Sequence, residues 1–287
     1  LIGMGLSLGF RAGVWNIGAE GQFIAGALLG SAPAVYFFDS TNPLILPCML
    51  LLGVLGGMAW AAMPALLKTR FNANEILVSL MLVYVAELLL VHLVQGPWRN
   101  PQGWGFPGTR MFPDVALLPM FFPGYRVHLG TLIAVLIPFV AWFVLTRTRF
   151  GFQIRVFGSA PLAARHAGIG SSQMVWTTLL VGGGLAGLAG VMEAASTIGQ
   201  LMPKISPGYG FTAIIVAFLG RLHPVGVLLA GTVIAVTYIG GESAQISAGL
   251  PKAVTGLFQG IILFYLLAFD LLTRYRLTRV KTRGNTA

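Results

Sequence analysis

The chain alternates long uncharged stretches with short interruptions that are basic or rich in proline. Uncharged runs occupy 21–38, 40–67, 127–146, 166–192, 205–220, 222–241 and 253–269. Several approach or exceed the roughly 20 residues a helix needs to cross a hydrocarbon core. They lack the 3.6-residue amphipathic stripe of a soluble helix and the strict alternation of an outer-membrane barrel. Taking Pro, Gly and Asn clusters as boundaries predicts nine apolar segments, at about 1–10, 21–38, 43–67, 75–95, 128–146, 173–198, 209–220, 224–241 and 253–272. Segment 209–220 is too short to cross unaided. The pattern is that of an all-α polytopic membrane protein.

Composition agrees: 56% of the 287 residues are hydrophobic and 9% charged, against roughly 25% charged in soluble domains. So few charges cannot make a polar shell, so the shell is lipid. The net charge of +10 would also fit a nucleic-acid partner, but the basic residues lie between the apolar runs and in the tail, which is a topology signal and leaves no nucleic-acid partner. One set of alternate connections holds Arg11, Lys68, Arg70, Arg147, Arg149, Arg155, Arg165, Arg221, Arg274, Arg276, Arg279, Lys281 and Arg283; the other holds Arg99, Arg110, Arg126, Lys204 and Lys252. The first set, with the C-terminus, is expected in the cytoplasm. The split needs 209–220 to count as a crossing, which makes nine crossings. Residue 1 lies inside an apolar stretch, so we expect one further span before it, ten in all.

Ten divides into two halves of five, and an odd number per half inverts one half relative to the other. Gly18, Ile24, Ala27, Leu29 and Gly30 recur at the same spacing as Gly208, Ile214, Ala217, Leu219 and Gly220. Each of these segments is the third of its presumed half. Inverted repeats with short or broken helices are a common transporter build.

Residues 96–127 hold six prolines with Trp98 and Trp104 and read as a stiff external loop, its aromatics placed for the lipid interface or for a ligand. Glycine pairs four apart, Gly26/Gly30, Gly53/Gly57, Gly183/Gly187 and Gly256/Gly260, allow close helix approach in lipid. The run Gly182-Gly183-Gly184-Leu185-Ala186-Gly187 matches a dinucleotide fingerprint, but no strand precedes it, so helix packing is the reading. No phosphate-cradling GxxxxGK[ST] occurs, the four histidines share no ligand spacing, and the single Cys48 excludes an internal disulfide. No catalytic residue, metal or cofactor is expected in this chain, which is not read as an enzyme.

In the cytoplasmic connection 147–172, Ser159 is a suitable N-cap, Pro161 fits a first turn and Gly168 can end a helix in the left-handed conformation. A two-turn helix at 160–167 is predicted, either inserted into a partner's groove or lying on the lipid surface. Here the residues resemble a known family. Phe150-Gly151-Phe152, Arg155-Val156-Phe157-Gly158, Ala163-Ala164 and Ala167-Gly168-Ile169 are similar to the cytoplasmic loop of permease subunits of bacterial ABC importers, in the superfamily handling branched-chain amino acids, ribose-type sugars and nucleosides. Trp15-Asn16-Ile17-Gly18-Ala19-Glu20-Gly21-Gln22 resembles the nucleoside branch, as do Asn74-Glu75-Ile76, Ser79-Leu80-Met81-Leu82, the run 184–190 and Gly208-Tyr209-Gly210-Phe211. Val83 and Thr212 depart from the pattern, standing where many members have Asn and some have Asp.

The resemblance implies a single permease domain over 1–287 with a basic cytoplasmic tail at 273–287, in the bacterial cytoplasmic membrane. It implies ATP-binding cassette subunits that bind the ATP, a homologous and non-identical second permease, and an extracytoplasmic solute-binding protein. Gly151, Arg155, Gly158, Ala163, Ala164, Ala167 and Gly168 would then couple the permease to the ATPase, with 160–167 as the coupling helix. Carboxylates within lipid cost about 2.5–3.5 kcal/mol each at a helix centre. Glu87 and Glu193 are therefore candidates for the translocation route or for helix-end bonding. Between the first two segments, Glu20 is a helix cap or a route residue, and Asn16 and Gln22 lean toward the route. The rival reading is a secondary transporter coupled to ions through the buried carboxylates.

Overall fold

The computed structural model describes residues 1–121, 127–249, 251 and 253–274. Arg126, Lys252 and the basic tail from 275 onward lie outside the described residues. Among the described residues, eleven α-helices follow in order: α1 (Ile2–Arg11), α2 (Ala19–Tyr36), α3 (Ile45–Phe71), α4 (Glu75–Gln95), α5 (Leu129–Arg147), α6 (Arg149–Ser159), α7 (Pro161–His166), α8 (Ser171–Glu193), α9 (Tyr209–Leu219), α10 (Pro224–Ala248) and α11 (Ala253–Arg274). A π turn at Ala194–Ile198 extends α8. Each of the nine apolar segments falls on a helix. Among the described residues five helices, α3, α4, α5, α8 and α10, are long and apolar enough to cross a membrane. The 11 residues of α9 span only about 16 Å at 1.5 Å per residue. Among the described residues, those up to 231 form one compact unit and those from 232 to 274 a second.

The centre of the first unit is a seam of glycines where α2, α3 and α8 meet. A Cβ on Gly26 would fall on the backbone of Gly187, one on Gly57 on the carbonyl of Gly183, and one on Gly190 on the carbonyl of Phe23. The glycine run at 182–187 lies inside α8, in this seam. Lipid tails are as apolar as leucine, so helices gain little by hiding apolar surface from them; close backbone approach supplies the dispersion contacts instead. Three of the four predicted glycine pairs meet here. The fourth, Gly256/Gly260, is open: a Cβ added to either glycine would have no atom within 4 Å.

Two apolar clusters flank the seam. One gathers Phe23, Met49, Leu90 and Val191; the other gathers Met4 and Leu8 of α1 with Leu145, Ile154, Ala164, Ile169 and Met174. The second cluster roots α6 and α7 on the helical body. The loop after α4 runs back over the π turn: the N–H groups of Leu118, Phe112 and Thr109 donate to the carbonyls of Ala195, Gly199 and Leu201 at 2.8, 2.7 and 3.0 Å. Trp98 donates to the Tyr36 hydroxyl at 3.3 Å, whereas Trp104 projects freely.

Candidate functional site

After α1 the chain leaves the helix in a turn, with Gly13 at φ +71° and the Val14 N–H donating back to the Gly9 carbonyl at 2.9 Å. Burial then alternates: Ala12, Val14 and Asn16 are buried, whereas Gly13 and Trp15 are exposed. Gly18 is the N-cap of α2, and a Cβ there would come within 2.7 Å of the Ser79 Cβ. This approach, with the Ile17 N–H donating to the Ser79 hydroxyl at 3.3 Å, docks the break on α4.

The break brings Asn16 against Gln22, one turn into α2. Asn16 Nδ2 donates to Gln22 Oε1 at 2.9 Å, and Gln22 Nε2 donates back to Asn16 Oδ1 at 3.2 Å. Asn16 Oδ1 also accepts the Gly18 N–H at 3.1 Å. Both side chains are buried, at 3% and 1% exposure. The sequence leans toward amides facing a solute; the structure turns them inward and pairs them. Six residues separate them across a sharp turn, which places two complementary amides face to face.

Glu20 is the second residue of α2 and is 3% exposed. Its Oε2 accepts the Gly210 N–H, in the first turn of α9, at 2.5 Å. Ser206 accepts the N–H groups of Gly208 and Tyr209, both at 3.0 Å, and its hydroxyl donates to the Glu20 carboxylate. The carboxylate thus sits at the amino ends of two helices, where both sets of unpaired N–H groups favour negative charge. Gly210 must be glycine: a Cβ would lie 2.6 Å from the Glu20 Cα. Glu87 and Lys204 lie within electrostatic range of Glu20 and are both exposed. Glu193 is half-buried at the end of α8, where the helix passes into the π turn. Among the described residues no three of His, Cys, Asp and Glu gather as metal ligands.

At the other predicted site, Thr148 caps α6 by accepting the Gly151 N–H at 3.3 Å. Gly151 and Gly158 permit contacts no side chain would: the first lies on the backbone of Val144 and Leu145, the second on the Arg11 carbonyl at the end of α1. The Arg155 guanidinium donates to the Leu145 carbonyl. Ser159, expected as the N-cap of the next helix, is the last residue of α6, its hydroxyl donating back to the Arg155 carbonyl at 2.9 Å. The chain turns at Ala160 instead, and Pro161 opens α7 without a side-chain cap. Gly168 ends the helix at φ +81° as expected. Within α7, Ala164 is fully buried in the second apolar cluster, so it is an anchor and not a contact surface. The outward face is Leu162, 73% exposed, with Ala163, Arg165, His166, Ala167 and Gly168.

Arg11 joins the two regions. Its Nε donates to the Leu222 carbonyl at 2.8 Å, in the turn between α9 and α10 where Arg221 and Leu222 both adopt positive φ, 51° and 57°. Sequence reasoning missed Ser206 and Leu162 as parts of these sites. Ser206 could have been found as a hydroxyl two residues before a glycine that opens a helix; Leu162 could have been found as a large apolar residue in the first turn of a small-residue helix.

The chain is 38% identical over 300 residues to a glucose ABC transporter permease protein of Haloferax volcanii, covering 100% of this chain and 78% of the relative. It is 29% identical over 293 residues to the guanosine ABC transporter permease protein NupP of Bacillus subtilis, covering 99% and 82%. A second guanosine permease protein of that bacterium, NupQ, is 28% identical over 224 residues, covering 76% and 70%. No solved structure matches the chain. These relatives are membrane transport components and not enzymes. Residues 1–267 match the family model described as branched-chain amino acid transport system / permease component, and with that match over nearly its whole length the chain belongs to this family of ABC transporter permeases.

Proposed function

We propose that the chain is the pore-forming subunit of an ATP-driven importer for a nucleoside or a related sugar-bearing solute, crossing the membrane nine times as two inverted halves. The observation that carries this reading is the junction of α7, α6 and α1: a short helix anchored by Ala164, displaying Leu162, and tied through Gly158 to the end of α1 where the break begins. Such a junction can pass a push from a soluble partner to the membrane-embedded break. ATP-binding cassette subunits dock on the outward face of α7, and Gly151, Arg155 and Gly158 hold α6 to transmit their motion. ATP belongs to those partners.

The inverted halves are supported by Gly18 and Gly208, matched in the sequence comparison, which are the N-caps of α2 and α9, whose amino ends share the Glu20 carboxylate. In this reading the basic connections and the C-terminus lie in the cytoplasm, and an extracytoplasmic binding protein delivers solute. A non-identical second permease is supported by the two different guanosine permease proteins of one bacterium that match this chain. Asn16, Glu20 and Gln22 shape the wall of the route from behind, the exposed Glu87 faces it, and Glu193 flanks it at the end of α8.

The test is uptake of radiolabelled guanosine and glucose into proteoliposomes holding the permease with its ATPase and binding-protein partners. ATP-dependent uptake is expected, with Leu162→Asp abolishing ATPase copurification while leaving the melting temperature unchanged. Uptake driven by an ion gradient without ATPase subunits would establish the secondary-transporter reading instead.

A further inference from the structure

The pairing of Asn16 with Gln22 and the capping by Glu20 leave one residue of the break unexplained, Trp15. It is 41% exposed although its neighbours Val14 and Asn16 are buried. It follows the left-handed turn at Gly13, φ +71°, and lies exposed beside that glycine, where an added Cβ would have no atom within 4 Å. Behind it the ring is backed by two others: its centroid lies 5.1 Å from Phe10, tilted by 37°, and 6.1 Å from Phe218 of α9, stacked at 25°. Phe10 and Phe218 themselves stack at 5.3 Å and 20°. Three rings from α1, the break and α9 thus make a rigid support whose outermost surface is the Trp15 indole. Its fixed ring and the bare Gly13 alongside form a flat, open platform.

We infer that Trp15 is the stacking contact for the solute in its route, taking the flat face of a nucleobase or the apolar face of a pyranose. This rests on the importer reading above and adds a named contact to it. Aromatic platforms suit either ligand, because every base has a π face and a pyranose presents a patch of C–H groups. Loss of one base-stacking ring elsewhere weakens binding by about one to two orders of magnitude. Phe10 and Phe218 set the tilt of the platform, and the Asn16–Gln22 pair fixes the backbone on which it stands.

The experiment compares wild type, Trp15→Phe and Trp15→Leu in the assembled transporter in proteoliposomes, with guanosine in one arm and glucose in the other. Trp15→Phe keeps a stacking face and should retain uptake within about threefold of wild type. Trp15→Leu keeps apolar bulk but has no ring; it should lose about tenfold in uptake with unchanged melting temperature and ATPase copurification. Trp15→Met replaces it should the leucine variant melt early. Loss confined to the guanosine arm identifies a base as the stacked group, and loss confined to glucose a pyranose. Wild-type uptake in Trp15→Leu, or an equal loss in Trp15→Phe and Trp15→Leu, overturns the stacking role and leaves the importer reading intact. Absence of ATP-dependent uptake of either solute by wild type overturns that reading and this inference with it.

Discussion

Removing Asn16 and removing Gln22 should have unequal costs, and the inequality follows from counting the groups each leaves stranded. Asn16→Ala orphans three buried partners: the Gln22 Oε1 and Nε2 and the Gly18 N–H. Gln22→Ala orphans one donor, the Asn16 Nδ2, because Asn16 Oδ1 keeps its bond to Gly18. At about 1 kcal/mol or somewhat more per unsatisfied group, the first variant should lose about 3–4 kcal/mol and the second about 1–2. The double variant removes both amides together, leaving only the Gly18 N–H among these polar groups. It should therefore cost only about 1–2 kcal/mol, less than Asn16→Ala, a coupling of about 3 kcal/mol in a double-mutant cycle.

Equilibrium unfolding or melting in detergent measures this order, with uptake normalised to folded protein read alongside. If the amides serve the wall and not the solute, uptake per folded molecule falls little in Gln22→Ala. Equal destabilisation by the two single variants, or strict additivity in the double, would show that the reciprocal pair is not what holds the break. A large loss of uptake in Gln22→Ala at unchanged stability would return both amides to direct contact with solute.

Ala164→Trp should lower the melting temperature, because overpacking a filled site costs about 1–3 kcal/mol, whereas the exposed neighbour Leu162 tolerates Asp without loss of fold. Gly57→Ala should cut the yield of monodisperse protein on size exclusion, since its methyl meets the backbone of Gly183; Gly256→Ala, with open space around it, should behave as wild type. His128 caps α5 by accepting the Gly130 N–H on Nδ1 at 3.1 Å; His128→Ala should lower the melting temperature by removing a cap of about 1 kcal/mol, whereas His128→Asn, which keeps an acceptor, should melt close to wild type. In a Cys48→Ser background, Cys at Ser159 should react with impermeant thiol reagents only from the cytoplasmic face and Cys at Gln102 only from outside; labelling of both from one face would refute nine crossings.

The helices were legible because membrane helices are written in the sequence as uninterrupted apolar length, so every apolar segment lies on one. The glycine seam was legible for a related reason: small residues four apart share a helix face, and in lipid such a face has one common use. What could not be read was the partner of each polar group. Glu20 meets Gly210 across 190 positions, and no local pattern distinguishes a cap on its own helix from a cap on a distant one. Ser159 shows the local limit: a hydroxyl before Ala-Pro has the form of an N-cap, but the preceding α6 continues through it and takes the hydroxyl back to Arg155. Ala164 falls within the short helix that Pro161 and Gly168 delimit, yet periodicity over six residues is too short to say which face is buried.

The same contacts indicate which parts of the fold can move. Helix α2 is gripped by backbone-to-backbone approach to α8 through Gly26 and Gly190, and by Gly56 of α3 against its Ala25 carbonyl, and packed cores shift between discrete arrangements and do not deform smoothly. Helix α1 is pressed onto α8 as well, a Cβ on Gly5 falling 2.9 Å from the Gly182 Cα, while its end is tied to the α9–α10 turn by the hydrogen bond from Arg11 to Leu222 and carries α6 through the Gly158 contact. If α7 couples to a partner as proposed, its displacement would travel through α6 into the end of α1 and the turn after α9, with the Gly5–Gly182 contact as the point where α1 meets the seam. The break and the amino end of α9 lie between the moving and the fixed parts, and the Glu20–Gly210 and Asn16–Gln22 bonds cross that boundary. In the proposed reading these bonds would set the position of the route's wall, and a push arriving through α7 would act against them.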